Sequence, residues 1–192
     1  NRLSLEGVRL TENDESYTVE FELARALQFE AASSNYRLSR DGIRVVDNTR
    51  AARIIGAVAP DLFNAEPPCA DKDDPDLDNR VYLDEGKDLD ADNLADVFRS
   101  DSANDIPSGA IAPYAVDSVE LDPRTGVWSY TLAYLPPGDY TLAFTCNSED
   151  DDPVDYDGVE IALPADQRYE FTLSSREVAN CNLAVTPECV DD

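Results

Sequence analysis

Two runs of alternating apolar and polar residues flank Pro136-Pro137-Gly138-Asp139. Trp128, Tyr130, Leu132 and Tyr134 fall on one face of the first run; Tyr140, Leu142, Phe144 and Cys146 fall on one face of the second. A period of two predicts strands, and the Pro-Pro-Gly-Asp break predicts a turn, so the stretch reads as a central hairpin. Upstream, Tyr17, Val19, Phe21 and Leu23 share a face, and residues 35–40 and 43–46 are strand-like about the turn pair Asp41-Gly42. Residues 24–32 read as a helical turn or a loop. Arg53 begins a further strand, in which Gly56 predicts a bulge or a close backbone approach. Residues 80–83 form a short apolar strand, and residues 93–98 one helical turn capped by Asp92. Residues 115–121, 158–163 and 167–173 complete the strands, with a Pro- and Gly-containing turn at residues 122–126. Many short strands separated by turn signals predict an all-β chain folded as an antiparallel β-sandwich.

Charge changes this picture in one region. The 192 residues include 41 acids and 15 bases, a net charge of −26, and no His. The acids crowd residues 66–107, which read as a long acidic insertion in the sandwich. A surface this acidic argues against nucleic acid and against an anionic membrane. No apolar run is long enough to span a bilayer. The chain has no Met and no signal peptide, and reads as processed or truncated, with any export signal upstream.

The four cysteines are Cys69, Cys146, Cys181 and Cys189. Their even number and their spacing, unlike that of a metal site, predict two disulfides and an oxidising, extracellular or outer-surface location. Three pairings are possible. Cys69–Cys146 with Cys181–Cys189 is favoured, the first closing a long loop and the second stapling a local one.

The sharpest site reading is Ca²⁺. Asp74, Asp76 and Asp78 alternate, with Glu85 eleven positions after Asp74 and Val81 at the eighth position of the window, which imitates an EF-hand loop. Asn79 stands where the turn glycine belongs, and Pro75 lies inside the loop. Asp88, Asp90, Asp92 and Asp96 form a second alternating cluster, with Arg99 at the closing position. Hard oxygen ligands favour Ca²⁺ over transition metals; the competing reading is a solvated acidic loop. Catalysis has little support, because the usual general base is missing and no motif selects a carboxylate pair. Trp128, Tyr130, Tyr134, Tyr140 and Phe144 form either a core or a carbohydrate-binding platform, distinguished by whether their rings point inward or outward.

The order of Arg53-Ile54-Ile55-Gly56-Ala57-Val58, residues 80–83, residues 125–132, residues 135–142 and residues 168–173 resembles the carboxypeptidase regulatory-like, transthyretin-like β-sandwich, an immunoglobulin-like architecture. The segment Leu135-Pro136-Pro137-Gly138-Asp139-Tyr140-Thr141-Leu142 carries most of that resemblance. The resemblance divides the chain into a β-rich segment 1–51, a sandwich 52–175 interrupted by the insertion 66–107, and a disulfide-pinned tail 176–192. The first segment resembles the end of a β-rich domain of unknown function found ahead of such sandwiches in bacterial exported lipoproteins. The implied function is a non-enzymatic structural or adhesive module of an exported surface protein. Its partners would be other proteins or copies of itself, met through sheet edges or terminal strands. The alternative is a module that binds carbohydrate or another ligand.

Overall fold

Apolar alternation in this chain is resolved by burying one face of each of two sheets against the other. The computed structural model describes residues 16–30, 32–40, 42–64, 69–162, 164, 168–184 and 188–190. In chain order the strands are β1 (Tyr17–Phe21), β2 (Leu27–Glu30), β3 (Asn35–Leu38), β4 (Ile43–Asp47), β5 (Ala52–Val58), β6 (Arg80–Glu85), β7 (Ala115–Ser118), β8 (Glu120–Asp122), β9 (Val127–Leu135), β10 (Gly138–Thr145), β11 (Arg168–Leu173), β12 (Val178–Asn182) and β13 (Glu188–Val190). A four-stranded sheet, β11-β10-β6-β7, faces a five-stranded sheet, β13-β12-β5-β9-β8. The fold is thus the expected β-sandwich. All pairings are antiparallel except β5 with β12. Two further ribbons, β1-β4 and β2-β3, precede the sandwich.

The core between the sheets holds Ile54, Val58, Val81, Leu83, Trp128, Tyr130, Leu132, Leu142, Phe144 and Phe171, all buried. Phe63, in the 3-10 turn Pro60–Asn64, closes one end, with its ring 4.7 Å from that of Trp128 and 5.7 Å from that of Phe144. Beside it the Cys69–Cys146 disulfide ties the β5–β6 connection to the end of β10. Cys181–Cys189 joins β12 to β13 at opposed positions. Both favoured pairings are therefore present.

The central pair differs from the expectation in its partners. β9 and β10 are joined at residues 136–137 as expected, but they do not pair. β9 lies between β5 and β8, and β10 lies between β6 and β11. The connection is an arch from one sheet to the other, so the two apolar faces meet across the core. Pro136 and Pro137 have no N–H to offer a ladder, and the Tyr140 hydroxyl bonds the Pro136 carbonyl at 2.8 Å. Tyr134 also departs from its predicted face. A register shift opposite Ala52–Ile54 adds a residue to β9, and Tyr134 takes a φ of 54°. That bulge turns Tyr134 out and Leu135 in.

Gly56 marks a close approach. A Cβ placed there would stand 1.9 Å from the Cys181 carbonyl oxygen and 2.8 Å from the Tyr130 ring. Gly56→Ala must push β12 off β5 and is expected to cost about 3 kcal/mol or more in a chemical denaturation curve.

Three other segments depart from the sequence reading. Residues 178–182, within the expected tail, form a sheet strand because Ala179 and Cys181 alternate inward. The single turn predicted at residues 93–98 is a 3-10 turn at Ala91–Asn93 capped by Asp90, whose side chain accepts from the Asp92 N–H. Residues 158–162 are not a strand. They lie with residues 89–97 over the outer face of the four-stranded sheet, where Leu94, Val97, Ile161 and Ala162 cover Tyr82 and Ala143 in a second, smaller core. The acidic insertion thus supplies a central strand, β6, and part of a lid. Among the described residues no helix is long and apolar enough to cross a membrane.

Candidate functional site

The eight carboxylates proposed for Ca²⁺ are dispersed by the fold. Residues 80–85 are strand β6, and an extended strand rises about 3.3 Å per residue. Glu85 thus ends an extended strand, which Asp74, Asp76 and Asp78 precede in the chain. The spacing matched, but the local structure is extended where an EF-hand loop must curl. Asp74 accepts from the Asp76 N–H, and Asp78 bonds Arg80 and the Ser118 hydroxyl. In the second cluster, the Asp88 N–H donates to Glu170, and Asp90 caps the 3-10 turn in which exposed Asp92 sits. Asp96 is buried and accepts from the Asp157 and Val159 N–H groups at 3.0 and 2.8 Å, holding down the lid. Among the described residues no three acids stand where they could hold one metal ion.

The aromatic face is core. Trp128, Tyr130, Tyr140 and Phe144 are buried, and only Tyr134 of the five is exposed, turned out by the bulge. Of the two readings, core or platform, ring orientation thus favours core, with a single ring turned to solvent.

Under the lid lies a polar layer that sequence reasoning missed. Arg80, Tyr82 and Asp84 alternate outward on β6. Asp151 receives the Tyr82 hydroxyl at 2.6 Å and the Arg80 guanidinium at 2.9 Å. Asp84 is 1 % exposed, and neither carboxylate oxygen has a hydrogen-bond partner among the described residues. Burial alone pushes its pKa up to about 7. Burial also raises Asp151 and Asp96, against the hydrogen bonds that each accepts. An acid directly after the apolar run 80–83 was the available signal.

A cleft of about 900 Å³ opens among the described residues where the sandwich is left unclosed. β9 has nine residues, but β8 covers only Val127–Ser129 along one edge. Beyond Ser129 that edge has no strand neighbour among the described residues, and it faces β7, the end strand of the other sheet. Val119 donates its N–H to the Asn79 carbonyl, so alternation turns the peptide groups of Val116 and Ser118 away from β6. The β1-β4 ribbon roofs the opening.

Side chains hold this gap where a strand would otherwise pair. The Thr131 N–H donates to the Asp117 carboxylate at 2.7 Å. Arg44 of β4 donates to the Ala133 carbonyl at 3.4 Å, pairs with Glu20, and lies 4.9 Å from the Tyr114 ring centroid. Arg25 pairs with Glu22 at 3.3 Å. Arg25 Nε and Arg44 Nη1 are buried without a partner among the described residues. Burial raises the pKa of Glu22 and Asp117, partly offset by Arg25 and by the Thr131 N–H respectively. A charged residue inside each of two strand-like runs, Arg44 and Asp117, was the only trace of this site in the sequence.

No protein-family profile matches the chain, and a search of the curated proteins finds no match. Among solved structures, the chain is similar to a candidate cell adhesion protein from Bacteroides fragilis NCTC 9343, at 6 % identity and a TM-score of 0.22. The similarity covers 81 % of this chain and 53 % of that one, so the chain spans about half the length of that protein. A likeness this loose carries no argument about fold or function.

Proposed function

We propose that this chain is a non-enzymatic structural or adhesive module of an exported bacterial surface protein, holding other polypeptide rather than transforming a substrate. The carrying observation is the β9 edge in the cleft, which has no strand neighbour beyond Ser129 among the described residues, since an unpaired edge is a template for another chain unless something blocks it. Two disulfides support an oxidising, extracellular setting. The sequence resemblance to exported, surface-anchored sandwiches points the same way. The net charge of −26 suits a soluble outer face and disfavours phosphate-bearing partners.

Beads coated with the protein test this. They are expected to cluster with one another, or to be retained on a protein-coated surface under flow. Beads carrying reduced and alkylated protein should not. Beads that stay dispersed and are never retained would refute the reading.

A further inference from the structure

We infer that the cleft between β7 and β9 is a binding site for one extended polypeptide segment, which adds to the free edge of β9 in place of the Asp117 and Arg44 side chains. The inference deepens the adhesive reading above and rests on it for its biological role.

Three observations converge on that occupant. First, the two side chains stand in for a strand. Asp117 gives the Thr131 N–H a carboxylate oxygen, where a neighbouring strand would give a carbonyl. Arg44 gives the Ala133 carbonyl an N–H, where a neighbouring strand would give an amide. Thr131 and Ala133 are two residues apart, the spacing at which a strand exposes successive peptide groups along one edge. A bound strand would continue the line that β8 begins and breaks off beside Ser129.

Second, the charge balance of the cleft differs from that of the chain. Arg25, Arg44 and Arg80 line it with Glu20, Glu22, Glu85 and Asp117, a nearly balanced set in a protein with 15 bases against 41 acids. Glu20 and Glu22 neutralise two of these arginines, yet Arg25 Nε and Arg44 Nη1 remain as buried donors. A buried donor without a partner is costly, and an acceptor brought by a ligand relieves that cost. Carbonyl oxygens of the incoming segment meet these two donors.

Third, the opening has the room and the wall. About 900 Å³ is ample for a short extended segment, and Ile111, Pro113, Tyr114 and Val116 supply apolar surface for every second side chain. Strand addition works in this way: main-chain hydrogen bonds give affinity, and pockets for alternate residues give selectivity. The ligand class is thus an extended peptide with apolar residues at alternate positions.

The test uses the disulfide-intact protein and a fluorescent peptide, Val-Thr-Val-Thr-Val-Asp, read by anisotropy. A second peptide carries N-methyl groups at alternate amides and keeps every side chain. The expected result is saturable binding of the first peptide and at least tenfold weaker binding of the second. Asp117→Ala removes the stand-in acceptor and should tighten binding about fivefold, the worth of one competing hydrogen bond. Asp117→Asn keeps the shape but offers a neutral, weaker acceptor, so it should tighten binding by a smaller factor, and it serves if Asp117→Ala fails to fold. Absence of saturable binding, equal affinity for the N-methylated peptide, or the same affinity in the folded Asp117→Ala protein would each overturn the inference. The bead assay is independent. Beads that cluster while the peptide does not bind would leave adhesion to another surface and sink the strand site. Peptide binding with beads that never cluster would keep the strand site and remove the adhesive role.

Discussion

Asp84→Asn is expected to raise the unfolding free energy by about 4 kcal/mol at pH 8 and to leave it nearly unchanged at pH 4. Asp84 sits on the outer face of β6, opposite Thr141, in a space closed by the lid. Both of its oxygens are without a hydrogen-bond partner among the described residues, and burial lifts its folded pKa to about 7 from the ordinary value of 3.8. Because the folded pKa lies above the unfolded one, the folded state binds more protons between these two values. Stability is therefore highest below about pH 4 as far as this group is concerned, falls as pH rises towards 7, and is constant above that. Asn has the same shape and cannot ionise, so it removes the pH-dependent cost. Asp96, Asp117, Asp151 and Glu22 are raised by burial as well, so their pH dependence has the same sign. Urea titrations of both proteins at pH 4 and pH 8 check this. A variant no more stable than the native protein at pH 8 would mean that Asp84 is not a buried, unpaired carboxylate.

Removing the Cys69–Cys146 bridge is expected to cost roughly 4 kcal/mol, about twice the cost of removing Cys181–Cys189. The separations are 77 and 8 residues. In the chain-entropy account the longer loop restrains the unfolded chain more. Position adds to the effect. The long bridge fastens the crossover from the five-stranded to the four-stranded sheet, beside Phe63, and anchors the start of the segment that leads to the lid. Cys69 and Cys146 are both buried, so alanines there also lose packing. For a chain of this size the long-bridge variant should melt about 10 °C lower. Equal losses for the two double-alanine variants would contradict the loop-length argument.

These two effects differ in how far the sequence exposed them. The disulfide pairing was legible, because four cysteines in a chain without His leave few arrangements and the two on the tail are neighbours. Strands β5, β6, β9, β10 and β11 were legible from alternation. Their neighbours were not: a period of two specifies which face is buried, not which strand lies alongside. For that reason Trp128–Leu135 and Gly138–Thr145 read as a hairpin, although the chain arches between sheets at Pro136 and Pro137. Strand β12 was hidden because its inward residues, Ala179 and Cys181, are small. Residues 158–162 show the reverse case. Val159 and Ile161 alternate, yet they serve the lid, because Asp96 draws the Asp157 and Val159 N–H groups away from any ladder. The cleft left no trace in the sequence beyond Arg44 and Asp117. It exists because β8 is six residues shorter than β9, and such a mismatch appears only once both strands are placed.

The central claim is that the β9 edge accepts a strand, and residue-resolved amide hydrogen exchange tests it most directly. With saturating Val-Thr-Val-Thr-Val-Asp peptide, protection is predicted to rise at Thr131 and Ala133, with smaller gains at Val116 and Ser118 across the cleft. The β2-β3 ribbon should be unchanged. Protection that rises on the ribbon alone, or nowhere on β9, would contradict the claim.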